Sequence, residues 1–416
     1  MKILVVGSGG REHAIAHTLL QSPNVEQVWC TPGNGGTATL ENCSNLALAV
    51  DDFSGIAQAV TDNQIDLVVV GPEVPLSMGI ADYLQAKDIA VFGPVKAGAE
   101  VEASKSWAKD LMVEGGIPTA KSATFTDSAA ATAYVQQEGA PIVIKADSLA
   151  AGKGVIVAMT DAEAESAVTE LFGQGFETLV IEEFLVGEEA SVLAFTDGTT
   201  IIPMVAAQDH KRIGEGDTGK NTGGMGTYAP APLVTPEIMQ RVEQEVLQPT
   251  MAAFRARGID YRGILYAGLM IAPDGKPNVV EFNCRFGDPE TQVVLPLLDT
   301  PLDELMLACV KGELDQVNIK WKSGSAVCVV AAAGGYPDAY HKGDRITGLD
   351  QVDEAIVFHA GTKISEGQVV TNGGRVLGIT ALGTNLESAI AKTYEAVEKI
   401  SFDKMYYRRD IAHRAR

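Results

Sequence analysis

Four short apolar runs in the first hundred residues constrain the fold more than any other feature of this chain. Lys2–Val6, Val25–Trp29, Leu67–Val70 and Ala90–Phe92 are nearly continuous rather than alternating. That pattern predicts strands covered on both faces, as in a parallel sheet. Helical stretches at Glu12–Leu20 and Ile56–Asp62 supply the crossovers, and Pro32-Gly33, Gly71-Pro72 and Gly93-Pro94 mark strand exits. A sheet of this kind binds ligands beyond the carboxyl ends of its strands. With 416 residues the chain exceeds a single core, so about two to four domains are expected.

The later sequence divides accordingly. Residues 1–103 form the leading βαβ domain; 104–120 and 189–325 form a central domain; 121–188 form a compact α+β subdomain; 326–416 form a β-rich tail. Within the central part, the polar, Gly-dense segment Asp209–Gly226 is too loop-like to be core and predicts a substrate-facing role. A net charge of −22 argues against nucleic acid as a partner, because phosphate backbones require a basic face. No apolar run reaches the roughly 18 residues of a membrane span. The N-terminus reads as a buried strand, not a signal peptide. Five scattered cysteines without CxxC spacing argue against a disulfide framework or a zinc site and favour a reducing cytoplasm.

Four local patterns carry chemistry. Gly7-Ser8-Gly9-Gly10-Arg11-Glu12 follows a strand and opens a helix, but Glu12 occupies the third glycine position of a dinucleotide fingerprint. The second strand also lacks the acid that holds a ribose hydroxyl in NAD sites. A phosphate at the helix N-terminus, helped by Arg11, or a plain tight turn fits better. Lys145, followed by the Gly-rich stretch Gly152-Lys153-Gly154, is not a P-loop but could cover phosphates as a lid. Val180–Leu185 and then Glu189 could form an adenine slot with a ribose carboxylate, or be an ordinary strand exit. The most specific pattern is Val279–Arg285. Alternation places Glu281, Asn283 and Arg285 on one face and Val280 and Phe282 on the other. A carboxylate and an amide oxygen two residues apart suit Mg²⁺ beside nucleotide phosphates, and Arg285 could stabilise a transferring phosphoryl group.

Together these pieces resemble the ATP-grasp superfamily, in which a nucleotide is clamped between two α+β subdomains. The order is similar throughout: a parallel-sheet domain, a first lysine at Lys105, a second at Lys145, and a Gly-rich lid around Gly152, Lys153 and Gly154. A hinge at Glu182, Glu183, Phe184 and Leu185, the ribose carboxylate Glu189 and the Glu281/Asn283 metal strand follow. Arg285-Phe286-Gly287-Asp288-Pro289-Glu290-Thr291-Gln292 resembles the signature run of the glycinamide ribonucleotide synthetases. So do the stretches Val6–Ala14, Thr31–Asn34, Gly71–Glu73, Gln208–Arg212, Thr222–Gly226 and Ala333–Pro337. One departure is that Ala267-Gly268-Leu269-Met270 lacks the further metal carboxylate of many superfamily members.

The resemblance implies an α/β and α+β multidomain fold: a parallel-sheet N-terminal domain, an ATP-grasp fold with 121–188 as its lid, and a small β-rich C-terminal domain. It implies ATP-dependent ligation of glycine to phosphoribosylamine through glycyl phosphate, in purine biosynthesis, with Mg²⁺ or Mn²⁺. Lys105, Lys145 and Lys153 would hold the polyphosphate, and Arg285 would steady the transferred group. Asp288 is expected at the glycine ammonium, Gly9, Gly10 and Arg11 at the ribose phosphate, and Glu12, Glu73 and Asp209 nearby. A cytoplasmic monomer or weak homodimer is expected. Another ATP-grasp carboxylate–amine ligase, a biotin-carboxylase-like enzyme, an NAD-binding protein without ATP chemistry and a non-catalytic nucleotide sensor are the alternatives.

Overall fold

The computed structural model describes residues 1–149 and 154–415. Its leading sheet contains Lys2–Gly7, Gln27–Pro32, Cys43–Asn45, Leu67–Val70 and Val91–Phe92, all parallel, in the spatial order third, second, first, fourth, fifth. Ile3, Leu4, Val5 and Val6 are fully buried, which is what a run without alternation requires. The second strand lies about two residues later than the apolar run suggested, so that it ends at Pro32 beside Gly7. Strand order reverses beside the first strand, and a crevice opens beyond the carboxyl ends there.

The central domain is built on an antiparallel sheet of Ile201–Pro203, Glu188–Asp197, Arg262–Ile271 and Pro277–Asn283. The segment expected to be the lid is a second four-stranded sheet, Ser122–Phe125, Leu179–Glu183, Ile142–Ala146 and Val155–Ala158, carrying the helices Ser128–Glu138 and Asp161–Gly173. Thr160 and Glu163 close a capping box on the second helix. Ile144, Ile181, Val168 and Leu171 belong to a lid core separate from the two larger clusters of the body. A unit with its own core can move against the body as one piece.

The third large sheet crosses the expected boundary at 325/326. Its order is Gln208–Asp209, Gly226–Ala229, Ser325–Ala332, Arg375–Gly383, Ile356–His359. Both ends of the polar segment Asp209–Gly226 are therefore strands of the C-terminal sheet, and its middle is a bulged hairpin of Arg212–Gly214 and Thr218–Asn221. The helix Leu386–Lys399 covers that sheet, with Thr393 donating to the Val327 carbonyl. Among the described residues, no helix is long and apolar enough to cross a membrane.

Candidate active site

The strand Pro277–Asn283 sets the site. Tyr266 pairs with Asn283 and Gly268 with Glu281, so both side chains share the face of Tyr266 and Gly268. The register then slips: Leu269 pairs with Val279, which leaves Val280 as the extra residue of a bulge. Strict alternation therefore fails at one position. Val279 and Phe282 enter the core, whereas Val280 lines a narrow crevice with Gly268 and Leu269, on the side opposite to expectation. The bulge also turns the Val280 carbonyl toward Lys145, whose ammonium donates to it at 3.1 Å. Gly268 is the residue facing Glu281, and a Cβ there would lie 3.2 Å from Glu281 Cγ.

Cations gather around this strand. Lys145 Nζ lies 2.8 Å from Glu182, and Lys109 Nζ lies 3.3 Å from the other oxygen of the same carboxylate. All three side chains are nearly buried. Lys105 donates to the Ser148 carbonyl at 2.9 Å, and burial, partly offset by Glu281, lowers its pKa. Asp147, from the lid strand's exit, accepts from the backbone amides of Lys105 and Ser106 and so caps the helix Lys105–Glu114 from outside. Lys211 Nζ lies 2.9 Å from Glu189 and 4.0 Å from Glu281. The Glu189 carboxylate holds the Lys211 pKa well above its ordinary value, and Lys211 lowers that of Glu189.

Arg285 follows the strand. Its guanidinium donates to Glu102 at 2.6 Å and to Asn283 Oδ1 at 3.2 Å, and lies 3.4 Å from Glu73. Burial opposes its charge, but these carboxylates hold its pKa above the ordinary value. Glu290 accepts from Ser191 and Tyr266, two residues of the crevice wall. Asp209 lines the same crevice, and its Oδ1 is buried without a hydrogen-bond partner among the described residues. Burial and then Glu290 push the Asp209 carboxyl well above the usual range.

A cavity of about 610 Å³ opens beside this cleft, between the leading sheet and the C-terminal sheet. Ser8 and Gly9, Gly33 and Asn34, and Asn45 line it from the ends of the first three strands. Lys363, Asn372 and Arg375 line it from the C-terminal side, and Asp288 forms part of the wall. Asn34 Nδ2 donates to the Ser8 carbonyl at 2.9 Å and to the His359 carbonyl at 2.7 Å, tying the two sides together. Arg375 lies 3.4 Å from Asp288 and donates to its carbonyl. Burial alone would raise the Asp288 pKa, but Arg375, Arg11 and Gln292 hold it below the ordinary value.

Three domain profiles of phosphoribosylglycinamide synthetase match the chain in succession: the N domain at residues 1–102, the ATP-grasp (A) domain at 103–291 and the C domain at 326–414. The chain belongs to this family. A phosphoribosylamine–glycine ligase of Synechocystis sp. is 60% identical over 418 residues, covering 100% of both chains. One from Nostoc sp. is 61% identical over 422 residues, covering 100% of this chain and 99% of that one. The crystal structure of the phosphoribosylamine–glycine ligase of Thermotoga maritima is similar with a TM-score of 0.85 at 35% identity, covering 99% of this chain and all of that one. A biotin carboxylase of Campylobacter jejuni shares the fold, with a TM-score of 0.74 at 14% identity over 98% of this chain and 92% of that one. Membership of the family makes this an ATP-grasp ligase and sets aside the carboxylase, NAD-protein and sensor readings.

Against that family background, the structure redistributes several residues expected at ligands. Arg11 does not point into the cavity: its guanidinium contacts Glu12 at 2.5 Å and the Phe286 carbonyl at 3.2 Å. Glu12 is buried and accepts from the Gly9 amide at 2.6 Å. That explains an acid in place of the third glycine, because the turn's own side chain satisfies an amide that a dinucleotide phosphate would otherwise take. Gly9 lines the cavity, whereas Gly10 packs against Gln292. Glu73 pairs with Arg285 rather than facing the cavity. Glu182 is a buried counter-ion for two lysines, while Glu183, Phe184 and Leu185 lie at least partly exposed beside it. Gly152 and Lys153 lie outside the described residues; Gly154 is buried at the entry to the strand Val155–Ala158.

Sequence reasoning missed Lys109, Lys211, Glu102, Glu290 and Arg375. Lys109 could have been found, since it stands one helical turn after Lys105. Glu290 and Lys211 sit inside stretches already singled out, Arg285–Gln292 and Gln208–Arg212. Glu102 carries no local signal.

Glu281 and Asn283 suit a hard divalent cation. They present a carboxylate and an amide oxygen on one face, and Arg285 occupies Asn283 Oδ1 with a single hydrogen bond. Among the described residues, no group of three or more His, Cys, Asp or Glu could hold a metal. Mg²⁺-type ions bound with nucleotide need only one or two protein carboxylates, so this sparse donor set fits.

Proposed function

We propose that the chain ligates glycine to 5-phosphoribosylamine at the expense of ATP, giving glycinamide ribonucleotide, ADP and phosphate through glycyl phosphate. One observation carries this reading: the stretch Arg285–Gln292 forms a shared wall between the two sites. Its Arg285 touches the metal-type strand, its Glu290 backs the crevice, and its Asp288 lines the large cavity. An acyl phosphate made on one side can thus meet an amine bound on the other without entering solvent.

We assign the cleft to ATP. Lys105, Lys145 and Lys211 hold and neutralise the polyphosphate, and the strand exit Glu183–Leu185 with Glu189 takes the nucleoside. Mg²⁺ or Mn²⁺ on Glu281 and Asn283 would neutralise phosphate charge. Arg285, fixed by Glu102 and Glu73, faces the transferred group. Positioning and charge neutralisation then carry most of the rate. The large cavity takes phosphoribosylamine, with Lys363 and Arg375 as the cations for its phosphate and Gly9 and Asn34 shaping the floor. Asp209 and Asp288 are the acids available to the glycine ammonium. The five unpaired cysteines suit a reducing cytoplasm, and a monomer or weak homodimer is the assembly we assign. We also assign the domains as 1–103, 104–120 with 189–325, 121–188 and 326–416, the last sharing its sheet with 208–229.

The test is a product assay by mass with ATP, glycine and phosphoribosylamine generated in place. Glycinamide ribonucleotide formed in step with ADP is the expected result. ADP release without that product would refute the reading.

A further inference from the structure

The segment from Tyr406 to Ala415 makes a dense set of contacts that the ligation scheme does not use. Arg408 is fully buried, the largest side chain to be so among the described residues. Its guanidinium binds Asp410 at 2.8 Å, Asp217 at 2.9 Å and the Arg212 carbonyl at 3.0 Å. Arg414 binds Asp217 at 3.1 Å and the Asp209 carbonyl at 3.3 Å. The Ala412 amide donates to His210 Nε2 at 3.3 Å. His210 is held neutral there, its pKa lowered to about 3 by burial and by Arg414 and Arg408. Tyr406 donates to the Ile213 carbonyl, and the Gly216 amide donates to Asp410.

Apart from the Arg408–Asp410 pair within the segment, these contacts fall on residues 209–217, on both sides of Lys211. Lys211 itself projects the other way, to Glu189 and Glu281. The His210 amide donates to the Gly226 carbonyl and the His210 carbonyl accepts from the Met225 amide, so the sheet holds the chain on one side of Lys211; the hairpin on the other side is a weaker scaffold. Thr222 holds the Lys211 carbonyl, but the ladder is bulged between Arg212 and Gly214, and Thr218, Gly219, Lys220 and Asn221 are all exposed. A long side chain whose ammonium must sit between two carboxylates needs a backbone fixed more firmly than that.

We propose that residues 406–415 are a strap that positions Lys211 in the nucleotide cleft, with Arg408 and Arg414 as its positioning residues. This rests on the reading of Lys211 as a polyphosphate contact. The C domain would then complete the ATP site as well as the phosphoribosylamine cavity.

The experiment is a double-mutant cycle on the full chain between Arg414→Met and Lys211→Met, with thermal unfolding recorded for each variant. Arg414 is partly exposed, so its loss should leave the fold intact. Arg414→Met should lower kcat by about tenfold or more, with the KM for phosphoribosylamine unchanged. In the Lys211→Met background it should produce no further fall. Arg414→Lys should restore part of the activity, because an ammonium reaches Asp217 but cannot also hold the Asp209 carbonyl. Unchanged kcat in Arg414→Met, or the same fall in both backgrounds, overturns the strap. Full activity in Lys211→Met instead overturns the assignment of Lys211 to ATP. Should Arg414→Met unfold, Asp217→Asn cuts the same strap from the hairpin side and carries the same expectations.

Discussion

Replacing Glu182 by Gln would test whether the lysine cluster is electrostatically balanced as the structure indicates. Glu182 is 4% exposed, with Lys145 at 2.8 Å and Lys109 at 3.3 Å on its two oxygens. The amide keeps the shape but removes the carboxylate that two buried ammonium groups share. Lys109 keeps Thr119 and the Ala120 carbonyl, and Lys145 keeps the Val280 carbonyl. Removing one partner of a buried ion pair costs roughly 3–5 kcal/mol, and these surviving hydrogen bonds place the expected loss near the lower end, about 3 kcal/mol. Burial already lowers the Lys109 pKa, and loss of Glu182 lowers it further. The folded state then binds fewer protons than the unfolded state, so the deficit should shrink as pH rises above neutrality. Chemical unfolding across that range measures the loss. Hydrogen exchange in Ile142–Ala146 and Leu179–Glu183 should show it concentrated at the lid–body contact. The KM for ATP should rise by about tenfold or more, because Lys145 loses its fixed position. A stability loss below about 1 kcal/mol, the range of exposed pairs, with an unaltered KM for ATP would refute the reasoning.

Three further outcomes follow from the site. Lys363→Met removes an exposed cation from the cavity and should raise the KM for phosphoribosylamine by about tenfold, the scale of one charge-assisted hydrogen bond; a changed KM for ATP instead would contradict the division of sites. Glu281→Gln should cut turnover by about tenfold or more and raise the concentration of divalent metal needed for half-maximal rate; unchanged turnover would remove Glu281 from the metal site. His359 is buried, with its pKa lowered to about 4, so the unfolded chain binds the extra proton between about pH 6.5 and that value. Stability should therefore fall as pH drops through that window, by at most about 3 kcal/mol from this residue. A His359→Gln variant should show a shallower fall, and an identical slope in both proteins would refute the assignment.

The parts of the fold that depend on short-range patterning were legible. The apolar runs Lys2–Val6, Leu67–Val70 and Ala90–Phe92 form the strands Lys2–Gly7, Leu67–Val70 and Val91–Phe92. The strand face of Glu281 and Asn283 was also legible, because two residues of alternation survive beyond the bulge. The bulge at Val280 was not, since a register slip depends on the partner strand. Arg11 shows a different limit. A sequence places a guanidinium at a helix N-terminus, but its direction is set by the neighbouring Glu12 carboxylate together with the Phe286 carbonyl, 275 residues away. Lys211 and Glu102 acquire meaning only through such distant pairings. The sheet shared by Gly226–Ala229 and Ser325–Ala332 joins segments that composition assigned to different domains.

The most direct measurement of the central claim follows oxygen. With glycine carrying ¹⁸O in its carboxylate, the acyl-phosphate route transfers one labelled oxygen to the phosphate released with each glycinamide ribonucleotide formed. Phosphate bearing that label in step with product is the predicted result. Product accompanied by unlabelled phosphate would mean that the glycine carboxylate is never phosphorylated, and the roles given to Arg285 and the lysine cluster would fall with it.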